Sequence, residues 1–332
     1  MKLIRRLTAL VLTALLLAAP VTAAAPRFSD VPEKHWAYES VCRAAELGLV
    51  SGDNKGRFGL GKSVTRAEYA TMLCRLMGWE LISPEQGSFA DNQNPKAWYY
   101  SAIETAAAHG VLPKLGENAG VTEPLRREEL ASMTVRALGY SALAGLVQDD
   151  CPFADVTVNR GYVTVAYHMG FMNGGTGNRF LPDAPAAREQ AAAVLLRVYD
   201  RMHAPLACLP VSALPEGETA VWAEPISERS GRIPMEPRAP LENVYAAALA
   251  AGEGGAVALH TEAYHATNRR ALREGELEQL LADEDARVYR STRYESSYLV
   301  RNGTVVWFET EADIAEKVML CRLLGVSTVY LA

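Results

Sequence analysis

The 332-residue chain has no C-x-x-C pair, and its five cysteines, Cys42, Cys74, Cys151, Cys208 and Cys321, are scattered. That spacing argues against a zinc or redox motif. In an exported chain an odd count leaves at least one thiol unpaired; Cys42 and Cys74 could form a disulfide or stay as buried free thiols. Basic residues are not in excess. The net charge is −6, which argues against a general nucleic-acid binder while leaving room for local basic pockets facing an acidic glycan. No G-x-S-x-G elbow is present. His260 and His265 flank Glu262 without the H-E-x-x-H spacing and read as surface histidines, so no metal site is expected. Gly252-Glu253-Gly254-Gly255 lacks the Lys-Ser or Lys-Thr of a phosphate cradle. No cofactor and no catalytic residue is expected. Beyond the N-terminus no apolar run reaches the roughly 18 residues of a membrane helix.

What is present is a globular composition, 49% hydrophobic and 22% charged, long enough for two or three domains. Residues 1–25 carry Lys2, Arg5 and Arg6, then an apolar run from Leu7 to Ala19, then an Ala23-x-Ala25 cleavage pattern. This order predicts a secretory signal peptide, hence a secreted protein with no transmembrane segment after cleavage.

The stretch that follows, to residue 203, repeats at an interval of about sixty residues. Three segments open alike, with Phe28-Ser29-Asp30-Val31, Phe89-Ala90-Asp91 and Phe153-Ala154-Asp155-Val156. An aromatic follows each: Trp36, Trp98 and Tyr162. Alanine-rich helical stretches come next, over Ser40–Gly48, Ser101–Gly110 and Thr164–Gly170. Then comes a turn, clearest at Gly52-Asp53-x-x-Gly56-x-Phe58, and a second helix whose opening carries Arg66, Arg127 or Arg188, spaced by 61 residues each time. Thr65 and Glu68 form a capping-box pattern, and Tyr69, Met72, Leu73 and Leu76 recur at core-facing spacing. The units run over 26–86, 87–148 and 149–203. One such unit buries too little surface to be stable alone, whereas three together make a domain.

These residues resemble the S-layer homology repeat, over about residues 27–202 and most fully in the first unit. The resemblance implies a mainly α N-terminal domain, a pseudo-threefold spindle of three helical repeats with grooves between its prongs. It also implies non-covalent anchoring to the bacterial cell wall. The grooves of that family bind secondary cell-wall polysaccharide, often through a pyruvylated sugar, with the arginine of T-R-A-E as a key contact aided by the tryptophan and the glycine turn. Carried over here, the polysaccharide-binding residues are Arg66, Trp36, Gly52, Asp53, Arg127, Trp98 and Arg188. A guanidinium forks onto a carboxylate with two charge-assisted bonds, and a tryptophan offers a flat apolar face to a sugar ring. Phe28, Phe89 and Phe153 read as core, and Asp53 also fits ordinary turn chemistry. The second unit has Arg126 in place of the capping threonine and no Gly-Asp turn; the third has Tyr162 in place of tryptophan. The best groove is therefore expected around Arg66 and Trp36.

Residues 204–240 are rich in proline and read as a linker, with a short strand possible over Thr219–Ala223. Residues 241–332 read as a small α/β domain. Helices are expected over Leu241–Ala251, Glu274–Asp283 and Asp313–Leu324, and strands over Gly255–His260 and Val326–Leu331. Arg293–Val300 and Thr304–Phe308 suit a hairpin across Asn302-Gly303. Val305-Val306-Trp307-Phe308-Glu309, Ile314-Ala315-Glu316-Lys317 and Leu323-Leu324-Gly325-Val326 are similar to the last strand, helix and strand of family 18 glycoside hydrolase barrels. That likeness offers an alternative reading, a wall-anchored hydrolase. Against it, the D-x-x-D-x-D-x-E signature is absent, and about 128 residues are too few for such a barrel. Glu309 and Glu311 are the carboxylates that could share a face.

Overall fold

The computed structural model describes residues 28–112, 117–223 and 237–332. The signal segment 1–25, part of the second repeat's turn, and Pro225 and Pro234 lie outside the described residues. The chain is a mixed α/β protein. Its helices begin with α1 (Tyr38–Glu46), α2 (Arg66–Met77), α3 (Tyr100–Ala108), α4 (Arg127–Ala137), α5 (Ser141–Leu146), α6 (Arg160–His168) and α7 (Arg188–Met202). Among the described residues no helix is long and apolar enough to cross a membrane.

Local chemistry fixes where these helices start. Thr65 accepts the Glu68 N–H at 3.2 Å and Glu68 accepts the Thr65 N–H at 2.9 Å, closing the capping box of α2. Gly78 ends the helix in the left-handed region, φ 64°. Tyr69, Met72, Leu73 and Leu76 are all buried.

The residues just before α2, α4 and α7 hold the repeats together. The N–H of Val64 donates to Ala186 O (2.9 Å), that of Ala186 to Leu125 O (2.8 Å), and that of Leu125 to Val64 O (2.8 Å). The three bonds close a ring, and its members keep the 61-residue interval of the arginines. The helices pack cyclically as well: α3 lies on α2, α6 on α4, and α1 on α7. Each repeat's first helix thus rests on the second helix of the repeat before it, and the first repeat closes on the third.

The aspartate of each opening motif clamps its own turn. Asp30 accepts the N–H groups of Phe58, Gly59 and Leu60 at 2.7–3.1 Å. Asp91 accepts those of Ala119, Gly120 and Val121, and Asp155 those of Phe180 and Leu181. Desolvation pushes these carboxyls up, but the backbone donors outweigh it and hold all three below the ordinary range. A group with a lowered folded pKa stabilises fully above its unfolded value, about 3.9, and that contribution is lost as pH falls through the folded value. Asp91→Ala should therefore lower the unfolding free energy by about 2 kcal/mol at neutral pH. The deficit should shrink on acidification below about pH 4, as read by urea unfolding across pH.

The remainder holds β1 (Ala207–Pro210), β2 (Val221–Trp222), α8 (Leu241–Ala251), β3 (Ala256–Leu259), β4 (Tyr264–His265) and β5 (Arg270–Ala271). After them come α9 (Glu276–Leu281), β6 (Arg287–Ser291), β7 (Ser296–Arg301), β8 (Thr304–Phe308), α10 (Glu311–Leu323) and β9 (Thr328–Leu331). One sheet is parallel, in the order β1-β9-β3-β2; the other is antiparallel, in the order β5-β4-β8-β7-β6. Asn302 and Gly303 both take positive φ, 46° and 75°, as a two-residue hairpin turn requires. The stretch read as a linker is not one throughout: Ala207–Pro210 pairs in parallel with Thr328–Leu331. Proline is tolerated there because β1 is an edge strand.

This second unit is bound to the repeats. Arg201 makes two 2.7 Å bonds to the Glu253 carboxylate, and His168 Nδ1 lies 2.6 Å from Tyr245 Oη. A single buried apolar cluster runs from Val31 through Val329.

Candidate functional site

The cyclic packing builds one groove from all three repeats. This groove, about 190 Å³, is lined by Trp36 from the first repeat, Arg127 and Leu130 from the second, and Asn173, Gln190 and Arg197 from the third. Trp36 therefore sits with Arg127. The pairing of Trp36 with Arg66 expected from sequence is corrected by the packing of α1 on α7, which carries Trp36 away from its own repeat's arginine.

The three repeat arginines occupy equivalent positions with different surroundings. Arg127 donates through Nε to Phe180 O (2.9 Å) and through Nη2 to Asn173 O (3.1 Å), and its guanidinium lies 4.9 Å from the Phe180 ring centre. Burial alone pushes its pKa down, and among the described residues no carboxylate pairs with it. Arg188 lies 5.2 Å from the Phe58 ring centre and donates to Ser51 O, but it is also bonded to Glu68 at 2.7 Å. Arg66 is only 3% exposed. It donates to Ala119 O and pairs with Glu129, itself largely buried.

Two differences among the repeats explain this. Where Phe58 and Phe180 put a ring under an arginine, the second repeat has Ala119. The space left by the missing ring lets Arg66 sink inward. The partner acids also recur at the 61-residue interval, as Glu68, Glu129 and Gln190. Only the third is neutral, and it is the one that faces Arg127.

The other expected contacts fall as follows. Trp36 and Trp98 are 59% and 66% exposed. Gly52 lies against its own repeat's phenylalanine: a Cβ there would come within 2.5 Å of the Phe28 ring, so glycine is needed for packing. Both Asp53 oxygens are engaged within the turn, by the N–H groups of Lys55 and Arg57 and by the Arg57 guanidinium. Tyr162 lies under Arg136, 4.4 Å from guanidinium carbon to ring centre. Asn173, Gln190 and Arg197 were missed from sequence. The signal was there, since Arg75, Arg136 and Arg197 keep the 61-residue interval.

The tail's candidates separate. Glu309 turns inward to Lys317 (2.7 Å) and Ser296 (2.8 Å), whereas Glu311 is exposed at the start of α10. They do not share a face. The two histidines are not on the surface: His260 is mostly covered and lies 3.1 Å from Glu262, while His265 is buried and accepts the Asn268 N–H. Among the described residues no His, Cys, Asp and Glu groups form a metal-holding cluster. All five cysteines are free thiols.

The S-layer homology domain model matches residues 27–70 and 152–192, in the first and third repeats. The "S-layer protein" of Bacillus thuringiensis subsp. finitimus is 30% identical over 177 residues, 52% of this chain and 21% of that protein. "S-layer protein sap" of Bacillus anthracis is 36% identical over 119 residues, 36% of this chain and 14% of that protein. The "Amylopullulanase" of Thermoanaerobacterium thermosulfurigenes is 30% identical over 185 residues, 52% of this chain and 10% of that protein. The chain thus spans about a fifth or less of the length of these relatives. With two segments matching the family and its S-layer relatives, the chain is an S-layer homology domain protein of the cell surface.

Proposed function

We propose that the chain anchors itself non-covalently to an acidic secondary cell-wall polysaccharide, without catalysis, and that the groove of Trp36 and Arg127 is the principal site. The observation that carries this reading is an arginine whose bonds go only to carbonyls, facing glutamine where its two counterparts face glutamate. Its charge is left for a ligand carboxylate, such as that of a pyruvylated sugar. Trp36 supplies an open face for the sugar ring. Arg188 has its carboxylate in Glu68 and serves, with Trp98, as a weaker site. Arg66 is a framework residue. Two unequal grooves would add avidity on a polymer.

Gln190→Glu tests this directly. The added carboxylate would compete with the ligand for Arg127, as Glu68 does at Arg188. Binding to purified walls should weaken about tenfold, or about 1.4 kcal/mol, while Gln190→Ala leaves it within about threefold. Equal binding by the Gln190→Glu chain would count against the assignment. Walls stripped of their acidic polysaccharide should not retain the protein.

A further inference from the structure

We propose that the antiparallel sheet of the second unit carries a separate carbohydrate platform, the face holding Tyr264, Trp307, Tyr298 and Tyr289, which takes a linear, uncharged polysaccharide. The strand register puts these four residues directly opposite one another: Tyr264 beside Trp307, Trp307 beside Tyr298, and Tyr298 beside Tyr289. The row crosses four strands. The Tyr298 ring centre lies 4.8 Å from that of Trp307 and 5.3 Å from that of Tyr289.

The face that carries the row is the more open one, chiefly along β6 and β7, while the row is buried at Trp307. Alternate positions along a strand point to opposite faces, and α10 sits on the other face, where Asp313 binds Ser297 and Arg290 at 2.8 and 2.9 Å. On the aromatic face Tyr289 is 48% exposed and Tyr298 and Tyr264 are half-buried, while Trp307 is buried against Tyr294 and backs the row. The row leads to the carboxyl edge of the parallel sheet, the usual place for a ligand on such sheets. Arg238 makes the join, 5.6 Å over the Tyr264 ring and 3.0 Å from His260, whose ring lies 4.6 Å from half-buried Trp222.

The occupant follows from spacing and charge. Strands repeat every 4.8 Å or so, and three such steps span about 14 Å. That step is close to the advance of one sugar ring along an extended chain, so a periodic row of aromatics suits a periodic glycan. Aromatic rings bind the apolar faces of sugars and leave the hydroxyls to solvent and to polar neighbours. At the foot of the row Glu262 is paired with Arg238, so no unpaired carboxylate stands there to select a cationic ligand.

The test uses the full chain bearing Arg127→Ala, so that the outcome is independent of the groove in the repeats. Soluble β-1,4-linked glucose and N-acetylglucosamine oligomers are titrated by calorimetry. At least one should bind, and Tyr289→Ala with Tyr298→Ala should weaken that binding by about tenfold without moving the melting temperature. If the double variant unfolds, Tyr289→Ala alone decides, because its ring is exposed; about threefold weakening is expected. Failure of both oligomers to bind, or binding unchanged by these substitutions, overturns the proposal.

Discussion

Arg66→Ala should lower the unfolding free energy by about 3 kcal/mol, because it leaves Glu129 without its buried guanidinium partner. Two carbonyl bonds at the junction of the first and second repeats go with it. Urea unfolding of the two chains measures the loss. In a Glu129→Gln background the same substitution should cost about 1–2 kcal/mol less, since part of the effect is a largely buried carboxylate left with Arg126 as its cationic partner. A change below about 0.5 kcal/mol would mean that Arg66 is a solvent-facing arginine after all. Wall binding by the folded fraction should be nearly unchanged.

Arg127→Ala should do the reverse. With its guanidinium as the proposed charge partner of the ligand, affinity for walls should fall by about a hundredfold, in line with a loss of about 3 kcal/mol. The fold should hold, because the bonds given up are two carbonyl contacts at a partly open site. Arg127→Lys should recover the charge without the planar fork, and hence only part of the affinity.

Much of this architecture is legible in the residues. The Thr65–Glu68 box, the Asn302-Gly303 turn and the helical spacing of Tyr69, Met72, Leu73 and Leu76 are local signals, and each matches the structure. The strand Ala207–Pro210 carries no such signal. It is four residues long, exposed throughout and held by pairing with Thr328–Leu331, far along the chain. The membership of the grooves is hidden for a related reason. A motif read along one repeat places Trp36 with Arg66, but the ring closed by Val64, Leu125 and Ala186 joins the three repeats, and the groove of Trp36 takes its lining from all of them. The best-preserved motif therefore does not mark the most available arginine. That depends on Ala119 and Gln190, two departures from the repeat pattern whose effects fall on arginines of other repeats. The role of Asp30, Asp91 and Asp155 was likewise indistinct until the turns that they clamp were placed.

In the proposed function the arginine facing Gln190, rather than the one in the most complete motif, holds the wall. The most direct measurement is co-sedimentation of the full chain with purified cell walls, comparing Arg127→Ala with Arg66→Ala at a temperature where both are folded. Arg127→Ala should stay in the supernatant while Arg66→Ala sediments like the unaltered chain. Retention of Arg127→Ala on the walls together with release of Arg66→Ala would contradict it.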